Sequence, residues 1–433
     1  VGGILAAICL MLSSIILSDP DSSIALFLAL TVGFFILKRP IVGILVVLIS
    51  TSTIISPMVL PKLNLFGADV QFTEIVILLT TLIIVLNHGI IASLRRIFSS
   101  RLLLLLMVFL ALIVTSVIHS LSLYTDLEIT TVIARSRTFF YYLLVFPVFL
   151  ALRKEDDVRF LVNGLLVISG LVAVYFIYTA VFGQTYLHYL LRTGIRFEVH
   201  NVVAGDTSGG LLRNARIRDV PGMALIVSMF FISICLFIFL YSTRRYFRYG
   251  ALTILMTIPI LLSFTRTTWA TTLFMFPLLW IITRKKSFRL TKLTAIMMGG
   301  FLVAFLALAL HPKYSNIISL TVDRFKSFFV ENVEAGTAVW RIVEMKAAMD
   351  EIHDNPWMGI GVAGEIVEKK VEYEGKDYLL VHNMGIHDAY LTMALKAGIP
   401  SLVVLLIIFF LTLGRAWKVF KVTESDYFKG VSL

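Results

Sequence analysis

Apolar runs of about 17 to 25 residues recur along nearly the whole chain, each long enough as a helix to cross a hydrocarbon layer of about 30 Å. Inside such a layer no water satisfies the backbone, so each run must close its own hydrogen bonds, which a helix does. Composition agrees: the 433 residues are 58% hydrophobic and 15% charged, with a mean hydropathy of +0.92, well above soluble domains. The expected fold is an all-α polytopic helical bundle in a membrane.

About twelve spans are expected, near 1–18, 22–37, 40–56, 70–88, 101–119, 135–152, 158–182, 220–241, 250–264, 267–283, 292–310 and 387–413. Alternate connections sort by charge. One set holds Lys38 and Arg39; Arg95, Arg96 and Arg101; Arg153, Lys154 and Arg159; Arg244, Arg245 and Arg248; Arg284, Lys285, Lys286, Arg289 and Lys292; and a tail with Arg415, Lys418, Lys421 and Lys429. That set gathers 20 of the 38 basic residues but five of the 27 acidic ones. By the positive-inside rule it is cytoplasmic, and so are both termini. Three parts follow: spans at 1–310, a large outward loop at 311–386, and a last span with its tail at 387–433.

The net charge of +11 raises the question of nucleic acid, but the basic residues punctuate apolar spans and form no solvated patch, so membrane topology explains them. Cys9 and Cys235 both fall inside apolar spans, which suggests neither a disulfide framework nor a zinc site. The chain opens on Val1 without a basic n-region, so no cleaved signal peptide is expected. No internal repeat, low-complexity tract or linker stands out.

Chemistry-bearing residues concentrate in the outward connections. Ser263-Phe-Thr-Arg266-Thr-Thr-Trp269 interrupts an apolar run of about 34 residues, too long for one ordinary span. An arginine at the bilayer centre is costly, so the chain is expected to turn there and expose Arg266 as an anion contact; snorkelling to an interface is the plainer reading. Arg341 sits on a segment with Ile342, Met345, Met349 and Ile352 at helical spacing, Thr337 as N-cap and Pro356 as terminator, which suits a helix on the membrane surface. Its plainer reading is a solvated arginine paired with Glu344 or Glu351.

His387, Leu391, Ala394 and Gly398 are expected to share one face of the last span, with the imidazole at its outer end. A group titrating near neutrality suits proton abstraction, yet a lone histidine is usually structural, and His382 competes five residues away. Val371 to Tyr378 alternates around Gly375 and reads as a short hairpin. Asp19 and Asp21 are paired carboxylates that would suit a divalent ion, although Asp-Pro-Asp-Ser is also ordinary turn chemistry. Arg213, Arg216 and Arg218 lie in the other large outward connection, Gly183 to Pro221.

Three of these stretches, in order, resemble the O-antigen ligase and O-antigen polymerase family of bacterial membrane glycosyltransferases. Thr265-Arg266-Thr-Thr-Trp269 resembles its Ser/Thr-Arg-x-x-Trp signature. Arg341 followed by Pro356-Trp-Met-Gly359-Ile-Gly361 resembles its arginine segment leading into Pro-x-x-Gly-x-Gly. His387-Asp-Ala-Tyr390-Leu391 through Gly398-Ile-Pro400 resembles its His-Asn-x-Tyr-Leu run. The resemblance covers Ser263 to Leu402, with two departures: Asp388 stands where the family has Asn, and a single span follows His387.

The resemblance implies a GT-C-like bundle that moves a glycan from undecaprenyl diphosphate to an acceptor hydroxyl. The reaction would take place at the outer face of a bacterial inner membrane, without nucleotide sugar, metal or other cofactor. Carried over, Arg266 and Arg341 would grip the diphosphate and His387 would act as base. Arg213, Arg216 and Arg218, by location, and Trp269 and Tyr390, by motif, are the substrate-binding candidates. The acceptor is a lipid, a glycan repeat or a protein. The rivals are a transporter or flippase of lipid-linked glycans, which would show paired repeats and ionisable residues deep in the spans, neither of which is apparent in the sequence, and a non-catalytic assembly subunit.

Overall fold

A computed structural model of the chain describes residues 31–51, 62–65, 68–125, 127–182, 199–201, 215–217, 223–240, 246–262, 266–284, 299–300, 303, 337–366, 369–373, 375–380, 386 and 388–433. The protein is mostly helical. In chain order the helices are α1 (Ile41–Thr51), α2 (Phe72–His88), α3 (Ile90–Phe98), α4 (Arg101–Leu123), α5 (Ile129–Phe140), α6 (Val145–Ala151), α7 (Glu155–Phe182), α8 (Met223–Phe239), α9 (Tyr246–Leu262), α10 (Arg266–Arg284), α11 (Thr337–Asp354), α12 (Ala389–Val422) and α13 (Asp426–Ser432). Among the described residues, three antiparallel ribbons accompany them: β1 (Lys62–Leu65) with β2 (Ala68–Gln71), β3 (Val199–Asn201) with β4 (Ala215–Ile217), and β5 (Lys369–Tyr373) with β6 (Lys376–Leu380). The hairpin expected around Gly375 is the last of these, with Val371 opposite Tyr378 and Gly375 at φ 70°.

Among the described residues, four helices are long and apolar enough to cross a membrane: Arg101–Leu123, Ile129–Ala151, Glu155–Ile177 and Ala389–Val422. The second runs through α5, the 3₁₀ turn Tyr141–Leu144 and α6. A fifth span exists only if α2 and α3 are taken together, and these are bent by 104°. The expected count of about twelve thus stands at four to five in the described residues; the runs at 1–18 and 292–310 lie outside them, apart from 299–300 and 303. Large apolar side chains such as Leu78, Leu82 and Leu86 on α2 and Phe409, Phe410 and Leu413 on α12 are more than half exposed, as lipid-facing residues are.

The chain divides into two compact units. One comprises α1, β1–β2, α2, α3, α6 and the start of α7. Here α1 packs on α2: the Thr73 hydroxyl donates to Ser50 Oγ at 3.0 Å in a buried contact, and a Cβ on Gly43 would overlap Thr80. Helix α2 opens with the backbone N–H of Gln71 donating to the Glu74 carboxylate at 2.9 Å, the return half of a capping box. It closes at Gly89, whose φ of 79° turns the chain into α3.

In the other unit α8 is buried on nearly every side because α9 and α13 both pack against it. The Ser233 and Thr253 hydroxyls bond across α8 and α9 at 2.8 Å, and Gly430 lets α13 approach Leu236. The same unit pairs α4 with α12, packs α11 on α12 and packs strand β5 of the hairpin on α11. Helix α12 departs from the expected single span at 387–413. Its 34 residues would run about 51 Å if straight, but Gly398 is non-helical (φ 80°, ψ 164°), so a short segment precedes the break and a longer one follows. Pro400, two residues on, suits the first turn of the second segment because it lacks an N–H to satisfy there.

Candidate active site

The glycine-rich turn 355–364 is the hub of the polar interval. Helix α11 stops where Asn355 N–H donates to Glu351 O at 3.0 Å and Pro356 follows, the termination expected of proline. The turn then docks onto the break in α12. Ile360 N–H donates to Leu395 O and Ile399 N–H to Pro356 O, both at 2.8 Å. These are the carbonyl and amide that an unbroken helix would have used itself. Two backbones approach this closely only without side chains between them: a Cβ on Gly359 would fall on Leu395 O, and one on Gly398 on Trp357 O. Both glycines, and Gly361, also have positive φ, which only glycine adopts cheaply. The Pro-x-x-Gly-x-Gly and Gly-Ile-Pro motifs, more than 30 residues apart in sequence, are two halves of one joint.

Beneath the turn lies a polar clamp. From α4, Ser116 Oγ donates to Lys396 O at 2.6 Å, and Ser120 Oγ accepts from Ala363 N–H at 3.2 Å. Tyr124 OH donates to Ile360 O at 3.1 Å. Burial, then the carboxylates of Glu351 and Glu365, raise the Tyr124 phenol above its ordinary value, so it remains a donor at neutral pH. From α5, Arg135 donates to Ala363 O at 2.6 Å and pairs with Glu365 at 2.5 Å. Lys396, 5% exposed, donates to Gly364 O with Arg135 and Glu365 near enough to act on its charge. The sequence reading found no ionisable residue deep in the apolar helices; Lys396 corrects it. A lone lysine in Leu-Thr-Met-Ala-Leu-Lys-Ala-Gly was the available signal. Ser116, Ser120, Tyr124 and Arg135 gave none that spacing alone could separate from ordinary helix residues.

Above the turn, α11 and the hairpin share a core of Val343, Ala347, Ala348, Ile360, Val371 and Leu395, against which Ile352, Tyr378 and Ile386 pack. Lys369 fixes the hairpin to α11 through Glu351 at 2.8 Å, and Trp340 meets Tyr378 edge-on at 5.8 Å. The stripe that packs on protein is therefore Val343, Ala347 and Ala348. Of the face expected to lie on a membrane, Met345 and Met349 stay exposed while Ile352 joins the core.

Arg341 is exposed beside that face. The anticipated pairing with Glu351 does not occur: ten residues along one helix separate the two by about 15 Å, and Glu351 holds Lys369 instead.

The start of α12 is fixed from both sides of position 387. Asp388 caps the helix, its Oδ1 accepting from Tyr390 N–H at 2.8 Å and Leu391 N–H at 2.9 Å. An aspartate where the family has asparagine therefore performs an N-cap, for which the two residue types are nearly equivalent. Ile386 packs on the α11 core, and its carbonyl accepts from Thr392 Oγ1 at 3.1 Å. His387 and its competitor His382 lie outside the described residues. Since α12 begins at Ala389, the shared face expected for His387, Leu391, Ala394 and Gly398 begins within the helix only at Leu391. Tyr390, in the first turn, is 53% exposed.

Arg266 is the first residue of α10 and Trp269 stands in its first turn; the helix packs on α9, and neither side chain is among those described. Arg216 lies in β4 opposite His200 of β3. Arg213, Arg218, Asp19 and Asp21 lie outside the described residues. Among those described, no three His, Cys, Asp or Glu side chains converge as a metal site would need. The arrangement thus brings together the Arg341 helix, the glycine turn and the chain flanking His387, and leaves Arg266 placed only along its own helix.

Residues 251–406 match the O-antigen ligase family model. No curated protein matches the chain. The matched range takes in Arg266, Arg341, the glycine turn, position 387 and the Gly398 break, and so bears out the resemblance drawn from the motifs. A glycosyl-transferring ligase domain of this kind implies a lipid-linked glycan and an acceptor as substrates. Over residues 251–406 this membrane protein is similar to the O-antigen ligase family.

Proposed function

We propose that the chain transfers an oligosaccharide or polysaccharide from undecaprenyl diphosphate to an acceptor hydroxyl at the periplasmic face of the inner membrane, with Arg266 and Arg341 on the diphosphate and His387 as base. The observation that supports it best is the joint between the glycine turn and Gly398, which ties the Arg341 helix to the residues on either side of His387. A diphosphate is already a competent leaving group. The protein therefore needs fixed cations where charge grows on the departing phosphate, and a base where the hydroxyl loses its proton.

In the proposed step the acceptor oxygen bonds to the anomeric carbon as the bond to the diphosphate oxygen breaks. The hydroxyl proton passes to His387, and undecaprenyl diphosphate leaves with the electron pair. Arginine suits the clamp because it stays charged and presents a planar fork of donors. The exposed Tyr390, Trp269 on α10, and Arg213, Arg216 and Arg218 are proposed to contact sugar or headgroup.

Buried Lys396 is the one observation that favours the flippase alternative, since ionisable groups inside transporters mark substrate paths. Its ammonium is engaged by the Gly364 carbonyl, a structural use, and the ligase reading stands ahead. Purified protein incubated with a lipid-linked glycan and candidate acceptors is expected to yield both glycosylated acceptor and free undecaprenyl diphosphate. Donor movement across a bilayer with neither product would establish the flippase instead.

A further inference from the structure

Helix α3 lies where spans end. Helix α2 finishes at His88 and the chain bends by 104° into α3. The Arg96 guanidinium donates to Leu150 O and Leu152 O, both at 3.4 Å, at the C-terminus of α6, and lies 4.9 Å from the Phe149 ring centre. Only residues 152–154 separate α6 from α7, so the contact sets α3 level with a turn between spans. At about 1.5 Å per residue its nine residues rise about 13 Å, less than half of the hydrocarbon thickness. The right-angle bend points that length along the membrane plane.

The faces of α3 are sorted in an unusual sense. Ser93 is buried, and Arg96 and Ile97 are half-buried against the protein. Ile90, Ile91, Leu94 and Phe98 fall within one side of the helix, and all are exposed, Ile91 to 81%. An apolar stripe turned away from the protein, on a short helix with two arginines, is the pattern of a helix bedded in the headgroup region. Arg95 is exposed next to the stripe, and Arg153 and Lys154 are exposed on the neighbouring turn. The acidic residues that open α7 are partly engaged locally: Asp157 accepts from Lys154 N–H at 3.1 Å and Glu155 stands 3.8 Å from Arg159.

We propose that α3 is an interfacial helix that binds anionic phospholipid, with Ile90, Ile91, Leu94 and Phe98 among the upper acyl carbons and Arg95 and Arg153 on headgroup phosphates. Arg96 is the positioning residue, holding the helix to the end of α6. A bilayer supplies both halves of this site at once, apolar chains below and fixed negative charge above.

The test uses the full chain in lipid nanodiscs, with a spin label at Ile91→Cys in a background where Cys9 and Cys235 are replaced by Ala. Relative collision rates with oxygen and a water-soluble nickel chelate are expected to put the label just below the phosphate level. A label at the bilayer centre would make α2 and α3 a broken span, and a label in water or sealed within protein would equally overturn the proposal. In a second arm, spin-labelled phosphatidylglycerol is expected to associate several-fold more strongly than phosphatidylcholine. The preference should fall at least twofold in Arg95→Gln/Arg153→Gln and stay unchanged in Lys370→Gln on the β5–β6 hairpin. Equal preference in wild type and the double variant would remove the headgroup assignment.

Discussion

Gly398 and Gly359 are the residues on which the joint turns, and they separate two effects that a third glycine isolates. Gly375 has a φ of 70° but open space where a Cβ would go, whereas Gly359 (62°) and Gly398 (80°) add a backbone carbonyl in that space. Gly375→Ala is expected to cost about 1 kcal/mol from conformation alone, and Gly359→Ala and Gly398→Ala about 3 kcal/mol or more, because two main chains must separate. Thermal unfolding in detergent reads the difference; similar shifts in all three would mean that the close approach contributes nothing. At the proposed base, His387→Ala is expected to lower transfer about 10² to 10⁴-fold with donor binding kept, and His382→Ala far less. The rising limb of the rate toward neutral pH should vanish with His387, since only the unprotonated imidazole accepts the hydroxyl proton. An essential His382 beside a dispensable His387 would move the motif by five residues. Asp388 was visible in the sequence as a departure, but its meaning as a cap needed the two backbone donors at 2.8 and 2.9 Å.

Elements were read more easily than the clamps between them. Pro356 ends α11 and alternation around Gly375 marks the hairpin, because proline and strand alternation act over a few residues, whereas Thr337, expected as the N-cap, is the first residue inside the helix. Which side of α11 packs was not legible: Val343, Ala347 and Ala348 lie on one flank and Met345 and Met349 on another, both apolar, and only the hairpin and Leu395 decide between them. The Arg135–Glu365–Lys396 cluster joins three elements from distant parts of the chain, so no local pattern announces it. Glu365 lies between two cations, Arg135 and Lys396. Glu365→Ala is therefore expected to cost about 3 kcal/mol by leaving Arg135 and Lys396 facing each other, more than Lys396→Met, which removes a buried charge along with its bond to Gly364 O. Unfolding midpoints of the two variants check the order; a larger loss in Lys396→Met would show that the carbonyl bond outweighs charge balance.

For the molecule as a whole, orientation remains a matter of charge. An externally added impermeant thiol reagent is expected to miss cysteines placed at Arg95 and Lys286 and to label one at Asp377, exposed on the hairpin. The opposite pattern would invert the topology and move the proposed site to the cytoplasm. By itself the sequence determined the solvent: with 58% hydrophobic residues in span-length runs, the chain must close its hydrogen bonds in helices within a membrane. It also determined the order of the three motifs, since residue identity and spacing are local properties. Tertiary structure decided the rest. It broke the last helix at Gly398, because Leu395 O and Ile399 N–H are taken by the glycine turn. It buried a lysine where a carbonyl and a carboxylate could receive it, and it turned the apolar side of α3 outward, because Arg96 found its partners at the end of another helix. Such outcomes depend on which surfaces meet, and contacts between residues tens of positions apart leave no period in the sequence.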